Sequence, residues 1–130
     1  MILDRQQEFV TEGASADIPP AVRSFAILHR RHDVSPEEFI RYWNEEHAPR
    51  ALAVPGVLKF ATNLVLECRV EGIAPDAVGE VWWASTEARE AGAETPEYEA
   101  LLASGAKIID QPRNTGFTVR ELRVFHPASA

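Results

Sequence analysis

The chain has 130 residues, 45% hydrophobic and 25% charged, with 13 basic against 20 acidic side chains and a formal net charge of −7. Those values fit one globular domain with an acidic surface, which repels phosphate backbones and so excludes nucleic acid and anionic membranes as expected partners. No apolar run approaches the about 20 residues of a membrane span, the opening MILDRQQEFV does not read as a secretory signal, and the lone Cys68 precludes an internal disulfide and suits a reducing, cytoplasmic setting.

Residues 1–22 read as an N-terminal extension without a clear period, broken at Ile18-Pro19-Pro20, that could drape over the domain through Ile2, Leu3, Phe9 and Val10. The domain itself is expected over residues 23–126, with 127–130 as a tail. RSFAILHR (23–30) is a short apolar run ending in charge, which predicts a first strand. SPEEF then supplies a helix start: Ser35 as N-cap, Pro36 at the first helical position, and Glu38 completing a capping box. Ile40, Trp43, His47 and Ala51 recur at i, i+3, i+7 and i+11 as a buried stripe, with Phe39 beside it. Pro49 disfavours helical angles at Ala48, so the helix is expected to end near His47.

After Pro55-Gly56, VLKFATNLVLECRV (57–70) predicts a long strand and EVWWAS (80–85) another. Ser85 or Thr86 caps a second helix, which restarts at Thr95-Pro96-Glu97 and stops at Gly105. AKIIDQPRNTG is a turn-rich connection with about one helical turn. FTVRELRVF (117–125) is the last strand. The order β-α-β-β-α-β is an α+β, ferredoxin-like arrangement, a four-stranded antiparallel sheet with both helices on one face. The other face needs a cover, and a second copy closing sheet to sheet around a shared cavity supplies one economically.

Strand alternation sorts the side chains. Val81, Trp83, Leu64, Leu66, Ala26 and Leu28 are expected under the helices. The open face would carry Phe25, Ile27, His29, Lys59, Ala61, Asn63, Glu80, Trp82, Glu121, Arg123 and Phe125. Apolar walls with a few convergent polar groups describe a small-molecule site, and they equally describe a dimer interface with internal ion pairs.

RRHDVSPEEFIRYWNEEHAPRALAVPGVLKFATNLV (30–65) resembles the EthD family, whose signature runs through S-P-E-E-F-x-x-Y-W-x-x-x-H-A-P and then P-G. GEVWWAS (79–85) and IID (108–110) resemble that family's third strand and late loop. The resemblance covers residues 23–126. It implies a dimeric α/β barrel without metal or organic cofactor, among relatives from ether-degradation clusters and decarboxylases and cyclases of polyketide pathways. By position, His47 matches the signature histidine, Tyr42 and Trp43 the aromatic pair, and Asn63 and Glu80 polar strand positions. RRHDV departs from the usual Gly-containing loop, and the N-terminal extension is unmatched.

His47 could act as acid or base near neutrality, or simply finish a helix whose C-terminal dipole favours imidazolium. His29 competes with it but lies more than about 12 Å away along the helix, too far for one relay. The His29–His32 pair in HRRH lacks a completing cluster apart from Asp33, so no metal is expected. Glu80 could carry a proton or pair with Arg123. The expected function is a cofactor-free lyase or cyclase acting by decarboxylation, cyclisation or dehydration. Its substrate would be a small hydrophobic carbonyl or phenolic molecule, polyketide-like or xenobiotic-derived. His47, with His29 or Glu80, would move protons. Asn63 and Tyr42 would hold substrate oxygen, and Phe25, Trp43, Trp82 and Glu121 would line the pocket of a homodimer. A non-catalytic binding or accessory protein, and a structural dimer whose polar residues fix register, are the alternatives.

Overall fold

In the computed structural model, which describes residues 1–11, 22–72 and 74–120, the expected caps become helix starts. Ser35 accepts from the Glu38 amide at 3.1 Å, Ser85 from Ala88 at 3.0 Å and Thr95 from Tyr98 at 3.3 Å. They open α1 (Pro36–Tyr42), α3 (Thr86–Gly92) and α4 (Pro96–Gly105). Each such cap is worth about 1 kcal/mol. The carboxylate of Glu38 holds Arg41 instead of returning to Ser35, so only half of the capping box forms.

The first helix does not stop near His47. A wide π turn, Trp43–His47, carries it into α2 (Ala48–Ala53), and Ala48 keeps helical angles of φ −58 and ψ −43. The Ala48 amide reaches back to the Trp43 carbonyl, five residues away. That extra residue displaces the carbonyl that the Pro49 ring would otherwise meet, so proline is accommodated where an unbroken α-helix would kink or end. It also leaves Phe39, Trp43, His47 and Ala51 all buried.

The sheet has five antiparallel strands: β1 (Ile2–Val10), β2 (Val22–Leu28), β3 (Val57–Glu67), β4 (Ala77–Trp83) and β5 (Thr115–Arg120), in the order β1-β3-β4-β2-β5. β2 to β5 are the expected ferredoxin-like sheet. The first part of the expected N-terminal extension is a strand, β1, which lies along the far edge of β3 from Ile2–Glu67 to Val10–Lys59. Nearly all its side chains are exposed, so there is no buried face to impose an apolar alternation. Ladder bonds and Phe9, whose ring lies 6.3 Å from that of Phe60, hold it in place. Glu121, Arg123 and Phe125, and the tail 127–130, lie outside the described residues.

The helices cover one face of the sheet. Leu28, Phe60 and Ala77 meet Phe39, Trp43, Ala48, Ala51, Ile108 and Ile109 in the main core, and Val22, Val54, Val57 and Trp83 form a second cluster. Gly92 lets α3 approach: a Cβ there would lie 2.7 Å from the Pro55 carbonyl oxygen and 2.8 Å from the Trp83 ring. Gly56 takes the positive φ of +89 needed by the turn into β3. No described helix is long and apolar enough to cross a membrane.

Candidate functional site

A cavity of about 590 Å³ lies between the helices and the sheet, a size typical of small-molecule sites. Ser24, Ala26 and Leu28 of β2 and Gly79, Val81 and Trp83 of β4 floor it. Trp43, His47 and Ala51 come from the first helical segment, and Tyr98, Leu101 and Gly105 from α4. This cavity is therefore on the helix side and within one chain, distinct from the cavity expected on the open face, which two copies would share. Small residues explain why. Ala26, Gly79, Ala51 and Gly105 leave space that larger side chains would fill.

His47 is the polar centre of the cavity wall. Its Nδ1 lies 3.1 Å from Ser104 Oγ, which lies 3.2 Å from the Tyr42 hydroxyl. Ser104 is 3% exposed and His47 8%. The edge of the imidazole meets Phe60 at 6.1 Å between centroids. Burial away from water pushes the His47 pKa down to about 4, with a smaller contribution from the Arg50 charge. The ring is thus neutral near pH 7, the opposite of the imidazolium that a helix C-terminus would favour. The unfolded chain takes up this proton near pH 6.5 and the folded chain only near 4. Stability should therefore be complete above pH 6.5 and fall as the pH drops toward 4, by about 3 kcal/mol in all. Urea titrations of the wild type and His47→Gln across that window should show the loss only in the former.

The other predicted residues gather on the opposite face. Glu80, 3% exposed, binds Arg5 at 2.6 Å, Arg23 at 3.2 Å and the Asn63 amide at 3.0 Å. Asn63 is fully engaged, donating also to the Val78 carbonyl and accepting from Arg5 Nε at 3.0 Å. Trp82 lies under Arg5, Arg23 and Lys59, the last at 4.6 Å. Lys59 and Arg5 hold Glu8, keeping its pKa below the usual carboxylate range. The partner expected for Glu80 was Arg123. Arg123 lies outside the described residues; among these, Arg5 and Arg23 hold Glu80, and Arg5 comes from the strand that the sequence conceals. Phe25 borders the cavity while its ring stacks on Phe117 at 5.1 Å.

His29 is buried, but it is not among the cavity walls, and its Nδ1 has no partner among the described residues. His32 is exposed, so the HRRH pair splits between interior and surface. Among the described residues, no three His, Cys, Asp or Glu side chains cluster as metal ligands. Tyr42 meets Ser104 rather than standing alone as an oxygen binder, and Trp43 is buried in the cavity wall. Ser104 and Arg89, the latter also a cavity wall, escaped sequence reasoning. Ser104 did leave a signal: it interrupts the apolar spacing Leu101, Ser104, Ile108 on an inward stripe.

The family described as EthD domain matches residues 31–112. An EthD-family protein from Bacillus halodurans superposes with a TM-score of 0.64 at 17% identity, covering 78% of this chain and 99% of its own. A dimeric ferredoxin-like protein of unknown function from Thermobifida fusca gives 0.56 at 17%, covering 89% and 100%. SnoaB, a cofactor-independent oxygenase from Streptomyces nogalater, gives 0.57 at 11%, covering 82% and 97%. No curated protein sequence matches the chain.

Proposed function

The chain belongs to the EthD family, and on that premise we propose that it is a cofactor-free acid–base enzyme for a small hydrophobic carbonyl or phenolic compound bound between sheet and helices. One observation carries this reading: a neutral imidazole in the wall of a largely apolar cavity, with one ring nitrogen already engaged by Ser104. With Nδ1–H donating to Ser104 Oγ, Nε2 keeps a lone pair for a substrate proton. The resulting imidazolium retains the Ser104 acceptor, and Tyr42 orients Ser104 in turn. Decarboxylation, cyclisation and dehydration each need one such proton carrier beside a carbonyl, in a pocket that orients the substrate and excludes water. The cofactor-independent oxygenase of the same fold supports chemistry carried by side chains alone. His29 and Glu80 have no place in this relay.

The assembly we infer is a homodimer through the sheet face away from the helices. Phe117 and Val119 there remain 48% and 44% exposed beside Phe25, and the Thermobifida fusca relative is dimeric. The alternative of a binding protein draws on the same histidine, because a conjugate acid near pH 4 marks a weak base.

Hydrogen–deuterium exchange of the methyl protons of 2-acetylnaphthalene, a hydrophobic ketone of suitable size, separates the readings. An enzyme accelerates the exchange in D₂O, followed by proton NMR. A binding protein retains the ketone in equilibrium dialysis and leaves its protons alone. Neither retention nor exchange would remove both.

A further inference from the structure

We infer that the cavity takes an anion, a flat hydrophobic carboxylate whose charged end is held by Arg89 while its reacting end lies at His47 about 10 Å away. The inference rests on the cavity reading above and adds the charge and length of the guest.

Arg89 sits on α3 one turn before Ala93, and both line the cavity with Trp83 and Tyr98. The other arginines of the described helices and loops each have a carboxylate within 4.0 Å, as Arg41 does with Glu38 and Arg50 with Glu46. Arg89 has none among the described residues, although Glu87, Glu90 and Glu94 lie close in sequence and the chain carries an excess of acid. A partly buried guanidinium in a largely apolar wall offers a planar, two-pronged donor that matches an incoming carboxylate. Trp83 and Tyr98 beside it supply flat apolar surface for a ring system.

Two elements run the length of the cavity, over about 10 and about 13 Å. From Tyr98 to Gly105, whose Cβ position is 3.4 Å from His47 Cε1, α4 rises seven residues, about 10 Å. From Trp83 back to Gly79, which lies under Trp43, β4 covers four residues, about 13 Å. The carboxylate therefore anchors the guest and stays remote from the imidazole. The group that reacts is a carbonyl or phenol at the other end.

Isothermal titration of the full chain with 2-naphthoate and its neutral counterpart 2-naphthamide tests this. The wild type should bind the acid about tenfold more tightly, and raised salt should weaken only the acid. In Arg89→Gln the two affinities should converge to within about twofold by loss of the acid alone, while His47→Gln should keep the preference. Equal wild-type affinities, or a preference that survives Arg89→Gln, overturn the inference and leave the cavity reading standing. Failure of the wild type to bind the acid, the amide or 2-acetylnaphthalene removes both.

Discussion

In His47→Gln, exchange of the 2-acetylnaphthalene methyl protons is expected to slow by about 10²–10⁴-fold, the range of one general acid–base group, while dialysis still shows the ketone bound. Glutamine has comparable reach and can still bond Ser104, so the cavity wall survives and only the proton carrier is lost. The acidic limb of the wild-type profile gives a second readout. Only neutral His47 can accept a proton, and its pKa in the folded chain is about 4. The rate on free enzyme should therefore stay level as the pH falls past 6.5 and decline only near 4, and the variant should lack that limb. An unchanged rate in the variant would remove His47 from the chemistry. A wild-type limb near 6.5 would mean that the imidazole is hydrated where the structure has it dry.

The double substitution Arg5→Ala, Arg23→Ala should cost about 3–5 kcal/mol in urea denaturation, whereas Glu80→Gln should cost distinctly less. The asymmetry follows from exposure. The Glu80 side chain is 4% exposed and both arginines are 39% exposed. Removing the cations strands a carboxylate under the sheet face with only the Asn63 amide against it. Removing the anion's charge leaves two guanidiniums that can turn to water and still lie near the Trp82 ring. Because Arg5 belongs to β1, Arg5→Ala alone should also loosen the strand, read as faster amide exchange at Leu3 and Asp4. Equal costs for the two sets of substitutions would mean that this network is wetter than its burial implies.

The elements with a buried face were legible in the sequence, and so was the family. Trp83 and Val81 fall under the helices and Glu80 and Trp82 on the opposite face, as period-two alternation requires. The three caps are side-chain chemistry within four residues, and sequence shows such chemistry directly. β1 was hidden because its stability comes from backbone pairing and two long-range ion pairs, Arg5–Glu80 and Glu8–Lys59, neither of which leaves a periodic trace. The helix-side cavity left no trace in the strand pattern, because alternation tells which residues share a face but not which face is underfilled. That depends on Ala26, Gly79 and Gly105 meeting across three elements. His47 was found from the family signature. Its partner Ser104 lies 57 residues away, a pairing that only the folded chain makes.

The wide turn at Trp43–His47 absorbs one residue more than ordinary helical winding holds, and so keeps the imidazole on the buried face. Deleting one residue there, Glu45 for instance, would restore ordinary winding with the buried stripe in place, because Phe39, Trp43, His47 and Ala51 would then recur at i, i+4, i+7 and i+11. The cost falls instead on Pro49, whose ring would then meet the Asn44 carbonyl four residues back, about 3 kcal/mol. Insertions are usually tolerated in loops; in this protein one is held inside a helix, and Pro49 opposes its removal. A relative shorter by one residue at this point, with proline absent from the place of Pro49, would present the same histidine from an ordinary helix.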